Sequence, residues 1–155
     1  MTSPVSMPAG HGILAADFDP YENLTASPVE FTPTWTADVN PSIGNGLLQG
    51  FMRQVGKFRH YHVAVIMGST TTFGTGDWLF LVPDAIDQHG APSNVGPAGW
   101  GVVLDSGTAQ RHVGCFAFDS THLQGVYQSS VISPTVPHTW DSGDALFFHW
   151  FGDAA

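Results

Sequence analysis

Histidine has the widest chemical range of the residue types in this chain, and it is unusually frequent. The 155 residues include eight His but only four Lys plus Arg. His60 and His62 stand two residues apart in an apolar and aromatic segment, so a strand there would place both imidazoles on one face. Metal sites on jelly-roll folds add a Glu a few residues later, but residues 63–68 contain no carboxylate. We therefore predict no bound metal or cofactor, and keep His60 and His62 only as candidate metal ligands.

Other arrangements that could support catalysis are weaker. Cys115 lies in an apolar run and is predicted to be a small buried side chain rather than a thiolate. Residues 119–122 contain Asp, Ser and His, but neighbours in sequence do not form a triad, and we interpret the segment as a turn. Glu occurs only at positions 22 and 30, and most Asp residues sit at turn positions, which argues against a glycosidase. We predict no catalytic residue and no enzyme activity.

The net charge and the placement of the basic residues argue against some classes of binding partner. The formal net charge is −9, and the four basic residues form no stripe that could neutralise phosphates. We expect no nucleic-acid partner and no membrane partner. The amino terminus lacks the features of a secretory signal, and the single cysteine allows no disulfide within the chain. The composition therefore predicts a soluble protein made in the cytoplasm.

The elements that would carry these residues are predicted to be strands. The chain has 18 Gly, 11 Pro and few charged helix formers, which excludes a helical bundle. Runs of β-branched and aromatic residues between turn signals predict an all-β, antiparallel β-sandwich or jelly roll of about eight strands. The predicted strands are residues 30–36, 46–55, 57–67, 78–82, 101–104, 109–118, 125–132 and 145–151.

The first 29 residues differ from the rest. They are rich in proline, and Asp17, Asp19 and Glu22 have no basic residue nearby in sequence. We predict an extended arm over residues 1–29 and a β-sandwich domain over residues 30–155. Composition leaves two interpretations of the arm open: a frayed terminus, or a segment that orders on a neighbouring subunit. The long segment of residues 84–99 is predicted to be a loop.

The last predicted strand has bulky side chains on both faces. Residues 145–151 read ALFFHWF, so one face can fill the core while the other needs a cover. A neighbouring subunit is the simplest cover. The five Trp residues have a competing use, a platform for carbohydrate, although core packing is the default for each.

Several sequence segments resemble those of a β-structured domain found in virion proteins of tailed bacteriophages, especially phages with actinobacterial hosts. These segments are FTPTWT (31–36), NPSIGNG (40–46), GFMRQVGK (50–57), GSTTTFGTGDW (68–78) and PHTWDSGD (137–144). The resemblance covers about residues 31–151. It implies a non-enzymatic structural module that forms a homotrimer, and it transfers no catalytic residue. The chain departs from the family pattern at residues 59–62, RHYH, where an apolar or Thr-rich strand is more usual.

Composition and resemblance together predict a capsid decoration (minor capsid) protein. It would sit on the outer surface of the phage head, dock through its amino-terminal arm and strengthen the shell. Its expected partners are further copies of itself and the major capsid protein. The alternative is a tail-fibre or receptor-binding tip protein that binds a host-surface glycan.

Overall fold

The computed structural model describes residues 27–88 and 98–155, and this part of the chain is all-β. The predicted fold class is therefore confirmed, with ten antiparallel strands in one curled sheet rather than about eight. The predictions for the arm and for the centre of the long loop lie outside the described residues. The strands are β1 Val29–Phe31, β2 Thr34–Thr36, β3 Leu47–Val55, β4 Phe58–Ile66, β5 Leu79–Leu81, β6 Ala98–Asp105, β7 Ala109–Ala117, β8 His122–Tyr127, β9 Ser130–Val131 and β10 Ala145–Asp153.

The order of the strands explains why the sheet curls. It runs β1-β3-β4-β10-β6-β7-β8-β5-β2, with β9 paired to β8. The two edge strands β1 and β2 are separated in sequence only by Thr32 and Pro33. Three peptide units span at most about 11 Å, so the two edges of the sheet must approach each other. The curled sheet therefore encloses a core as a sandwich does, and β10 lies at its middle between β4 and β6.

Two predicted strands are each divided in the structure. Residues 30–36 were predicted as one strand, but the chain breaks at Thr32 and Pro33 because proline cannot donate a ladder hydrogen bond. Residues 125–132 contain the end of β8, a turn and β9. Gln128 and Ser129 form that turn with positive φ angles of 47° and 73°. Val29, predicted as the last residue of the arm, is the first residue of β1.

The β3–β4 hairpin sets which side chains of β4 face away from the core. Its loop is only Gly56 and Lys57, with Val55 opposite Phe58, and Gly56 has a φ of 59°. Glycine adopts this left-handed conformation without the steric cost of a Cβ atom, which permits the tight turn. Because the turn is tight, the register is set, and His60 and His62 lie opposite Arg53 and Phe51.

The core is built from large rings on the inner face of the sheet. Trp35, Trp78 and Trp140 are at most 5% exposed, and Trp150 is fully buried. Cys115 is also fully buried, as predicted, and burial raises the pKa of its thiol. The described residues contain no helix that could cross a membrane.

Candidate functional site

The side of β3, β4, β10 and β6 that faces away from the core is unusually apolar. We call it the outer face. The described residues contain nine large hydrophobic side chains that are exposed, and six of them lie here. These six are Leu47, Phe58, Ile66, Trp100, Leu104 and Phe151. The outer face is therefore the largest concentration of exposed apolar side chains in the described part of the chain.

Alternation along β10 places bulky groups on both sides of the sheet. Leu146, Phe148 and Trp150 are fully buried in the core. Phe147, His149 and Phe151 project from the opposite side, since successive strand residues point to opposite faces. The structure thus places one set of β10 side chains in the core and leaves the other on the outer face.

Seven aromatic and imidazole rings form a continuous cluster on the outer face. We call it the ring cluster, and its members are Phe51, Phe58, His60, His62, Trp100, His149 and Phe151. One row crosses four neighbouring strands, with centroid distances of 6.2, 4.5 and 5.0 Å from Phe51 through His62 and His149 to Trp100. Beside it, His60 stacks on Phe151 at 4.5 Å.

His60 and His149 connect the two rows by a direct hydrogen bond. His60 Nε2 lies 2.9 Å from His149 Nδ1, with ring centroids 5.2 Å apart and planes inclined by 20°. This combination places the rings edge to edge in nearly one plane. A neutral imidazole has one N–H donor and one acceptor nitrogen, so one ring donates to the other.

Burial lowers the pKa of His60, His62 and His149 below the ordinary value of 6.5. For His60, the neighbouring imidazoles and the Arg53 guanidinium lower the pKa further. Water solvates a charged imidazolium better than the half-buried sheet surface does, which favours the neutral form. The three rings are therefore neutral at pH 7.

The candidate metal ligands His60 and His62 share a face of β4, and each of them contacts His149. His60 directs Nε2 to His149. His62 instead stacks on His149, with centroids 4.5 Å apart and planes 7° apart. Because these two rings are stacked, their in-plane lone pairs lie in separate, nearly parallel planes. This conformation favours hydrogen bonding and stacking.

A surface concavity of about 270 Å³ opens over the ring cluster. It is lined by Pro28, Phe51, Arg53, His60, His62 and His149. A larger concavity of about 420 Å³ lies beside β2, where Asp38 and Asp77 are the only titratable side chains among its lining residues. The concavity over the ring cluster combines three imidazoles and a guanidinium with an aromatic side chain.

A separate polar cluster joins the segment before β10 to the β6–β7 hairpin. In the described residues, Asp105, His138 and Asp144 are the only group whose side chains are close enough to share a metal ion. The Arg111 guanidinium donates to Asp105 Oδ2 at 3.0 Å, and its Nη1 lies 3.4 Å from His138 Nδ1. His138 Nε2 lies 2.9 Å from Asp144 Oδ2. The four side chains thus form one network of hydrogen bonds.

Asp144 is the centre of this network. Its Oδ1 accepts the backbone N–H of Ser106 at 2.8 Å, and its Oδ2 accepts that of Asp141, also at 2.8 Å. Burial alone would raise the pKa of Asp144, but the hydrogen bonds from two backbone amides and from His138 outweigh it. The pKa of Asp144 therefore lies below its ordinary value of 3.8.

Asp144→Asn is expected to lower the free energy of unfolding by about 1–3 kcal/mol at pH 7, because Asn has one acceptor oxygen where Asp has two. The ionised carboxylate stabilises the fold above pH 3.8, and this contribution is lost as the pH falls through the lowered pKa. The difference between variant and wild type should thus shrink in acid, as urea unfolding at pH 7 and pH 3 would measure. Asp141→Asn, at an exposed turn residue, is the matched control and should change little.

The polar segment of residues 119–122 is a turn, as predicted. Asp119 Oδ1 accepts the backbone N–H groups of Thr121 and His122 at 2.7 and 2.8 Å. This is the usual hydrogen bonding of an Asp that closes a turn onto the backbone. The same carboxylate accepts a hydrogen bond from the Thr121 hydroxyl at 3.0 Å and lies 2.9 Å from His122 Nδ1, so it holds the start of β8 in place.

Sequence reasoning missed two members of the outer-face cluster. His149 was noted only as part of the run 145–151, and Trp100 only as one of the five Trp residues. Alternation in residues 145–151 would have placed His149 on the same side as Phe147 and Phe151. The chain matches no protein-family model, no curated protein and no solved structure.

Proposed function

We propose that this chain is a non-enzymatic structural protein of a tailed-bacteriophage virion. It acts as a homotrimeric capsid decoration (minor capsid) protein on the outer surface of the head, where it binds the major capsid protein and strengthens the shell. The observation that supports this most directly is the apolar outer face, which is suited to contact with another protein surface.

The exposures on the outer face are large for a surface that stays in water. Trp100 is 56% exposed, Phe58 44% and Leu47 41%. Contiguous exposed apolar patches of this kind usually mark protein interfaces, and the centres of such interfaces are rich in aromatic residues and poor in Lys, Glu and Asp. The rings at the centre of the outer face fit that composition.

The distribution of charge favours a second copy as the partner. With a net charge of −9, two copies repel each other unless they meet where acidic groups are sparse. On the outer face, Arg53 and three neutral imidazoles occupy the centre, while Glu30 on β1 and Asp153 at the end of β10 lie at its margins. Three copies related by a rotation axis would close such an interface without leaving an open edge.

Symmetry explains how such a small protein could strengthen a shell. Each trimer would contact the capsid at three equivalent places, and modest contacts add strongly when they are linked. The sequence segments within residues 31–151 that resemble virion proteins support the assignment to a virion.

The proposal predicts trimers of the full chain in solution and on the particle. Sedimentation velocity at pH 8 should give the mass of three 16.6 kDa chains. Cryo-electron microscopy of the virion should then show density at threefold and quasi-threefold positions of the head. A monomer at every concentration contradicts self-association, and density only at the tail tip contradicts the head assignment.

The exposure of Trp100 favours a second candidate function, that of a tail-fibre or receptor-binding tip protein. The Trp100 side chain is 56% exposed on the outer face, so the ring is accessible to a sugar. This function predicts saturable binding on a glycan array that Trp100→Ala abolishes and Leu81→Ala preserves. Equal binding by both variants would remove Trp100 from that role.

A further inference from the structure

The centre of the outer face contains titratable groups, which is unusual for a surface that another protein chain is to cover. We infer that association of copies through the outer face is controlled by pH: copies associate while His60, His62 and His149 are neutral, and separate when these side chains take up protons. The inference rests on the proposed self-association and adds its regulation.

The hydrogen bond between His60 and His149 is the first reason. The two nitrogens lie 2.9 Å apart, and one must carry a proton while the other accepts it. If both rings were doubly protonated, two N–H groups would face each other across that distance, and both rings would be positive. The edge-to-edge arrangement of these rings therefore exists only while at least one of them is neutral.

Stacking is the second reason. His62 lies on His149 with planes 7° apart, and His149 also contacts Trp100 at a centroid distance of 5.0 Å. Two stacked imidazoles 4.5 Å apart tolerate one positive charge better than two, since like charges at this distance repel strongly when little water separates them. A second copy over the rings would remove more water and increase that repulsion.

The neighbouring strands place little negative charge beside the imidazoles at the centre of the outer face, so protonated rings would gain little stabilisation there. Arg53 on β3 lies opposite His60 and adds positive charge. The outer side chains of β6 are Trp100, Val102 and Leu104, which do not titrate. The charged or titratable groups of the other strands lie at the margins of the outer face. They are Glu30 on β1, Asp153 on β10 and His112 on β7, and Glu30 accepts a hydrogen bond from Gln49.

The sign of the pH effect follows from these surroundings. Burial already lowers the pKa of each imidazole below 6.5 in the separate chain, and a covering copy would lower it further. Separated copies then bind more protons than associated ones, so association is strongest above pH 6.5 and weakens as the pH falls below it. Asp119 and Asp144 keep their pKa below 3.8, so these two carboxylates stay ionised at pH 5.

The test is sedimentation velocity of the full chain between pH 8 and pH 5, with far-ultraviolet circular dichroism at each pH. We expect the sedimentation coefficient to fall from that of the oligomer to that of the monomer below pH 6.5 while the β-sheet spectrum is unchanged. The double variant His60→Gln with His149→Gln should stay associated at pH 5. His112→Gln, a histidine outside the ring cluster, should behave as the wild type does.

Different results would contradict the proposed self-association and its control by pH. A protein that is monomeric already at pH 8 contradicts the proposed self-association. An oligomer that persists unchanged at pH 5 overturns the pH control alone, as does a dissociation that coincides with loss of the β-sheet spectrum. Should the double variant fail to fold, His60→Gln alone removes one partner of the hydrogen bond. A pH profile identical to that of the wild type would then count against the inference.

Discussion

Ile66→Asp is expected to convert the self-associated protein into monomers. Ile66 lies on the outer face opposite Leu47 and Ala145, and it is 36% exposed in the single chain. A second copy that covers this position would bury the new carboxylate without a partner. An uncompensated buried charge costs about 3–5 kcal/mol, so the dissociation constant should rise by more than about 100-fold.

Leu81→Asp is the matched control for this variant. Leu81 is 37% exposed, but it lies on β5, away from the four strands of the outer face. Both substitutions place Asp in a strand and carry the same cost in β-propensity. Sedimentation velocity of both variants at pH 8 is the measurement. Equal association of the two variants would show that copies do not meet through the outer face.

Trp78→Ala is expected to cause the largest loss of stability in the described core. Trp78 is fully buried, and its ring contacts those of Trp35 and Trp140 at centroid distances of 4.6 and 5.0 Å. Its Nε1 donates to the carbonyl oxygen of Phe73 at 3.1 Å. Removing a buried Trp side chain costs about 3–5 kcal/mol. Domains are stable by only about 5–15 kcal/mol, so the variant would retain a small margin.

Trp100→Ala provides the internal comparison, since it removes the same side chain from the surface. An exposed substitution usually changes the free energy of unfolding by no more than about 0.5 kcal/mol. Denaturant unfolding should be measured at a protein concentration at which copies do not associate, because association would itself stabilise the fold. Similar losses for both variants would contradict the assignment of Trp78 to the core and Trp100 to the outer face.

Local signals in the sequence were enough for the fold class and for several side chains. Frequent Gly and Pro with β-branched runs predicted antiparallel strands. Cys115 was predicted to be buried from its apolar neighbours, and the Asp119 segment was predicted to be a turn. These features depend on interactions within a few residues, so their causes can be seen in a short stretch of chain.

The pairing of distant strands was decided only by the tertiary structure. His60 and His149 are 89 residues apart in the sequence, and they meet because β10 inserts between β4 and β6. The same insertion brings Trp100 to the ring cluster. Alternation specifies which side chains share a face of one strand, but it does not specify which strands are neighbours. That choice depends on how the whole set of strands buries its apolar side chains together, which no local pattern encodes.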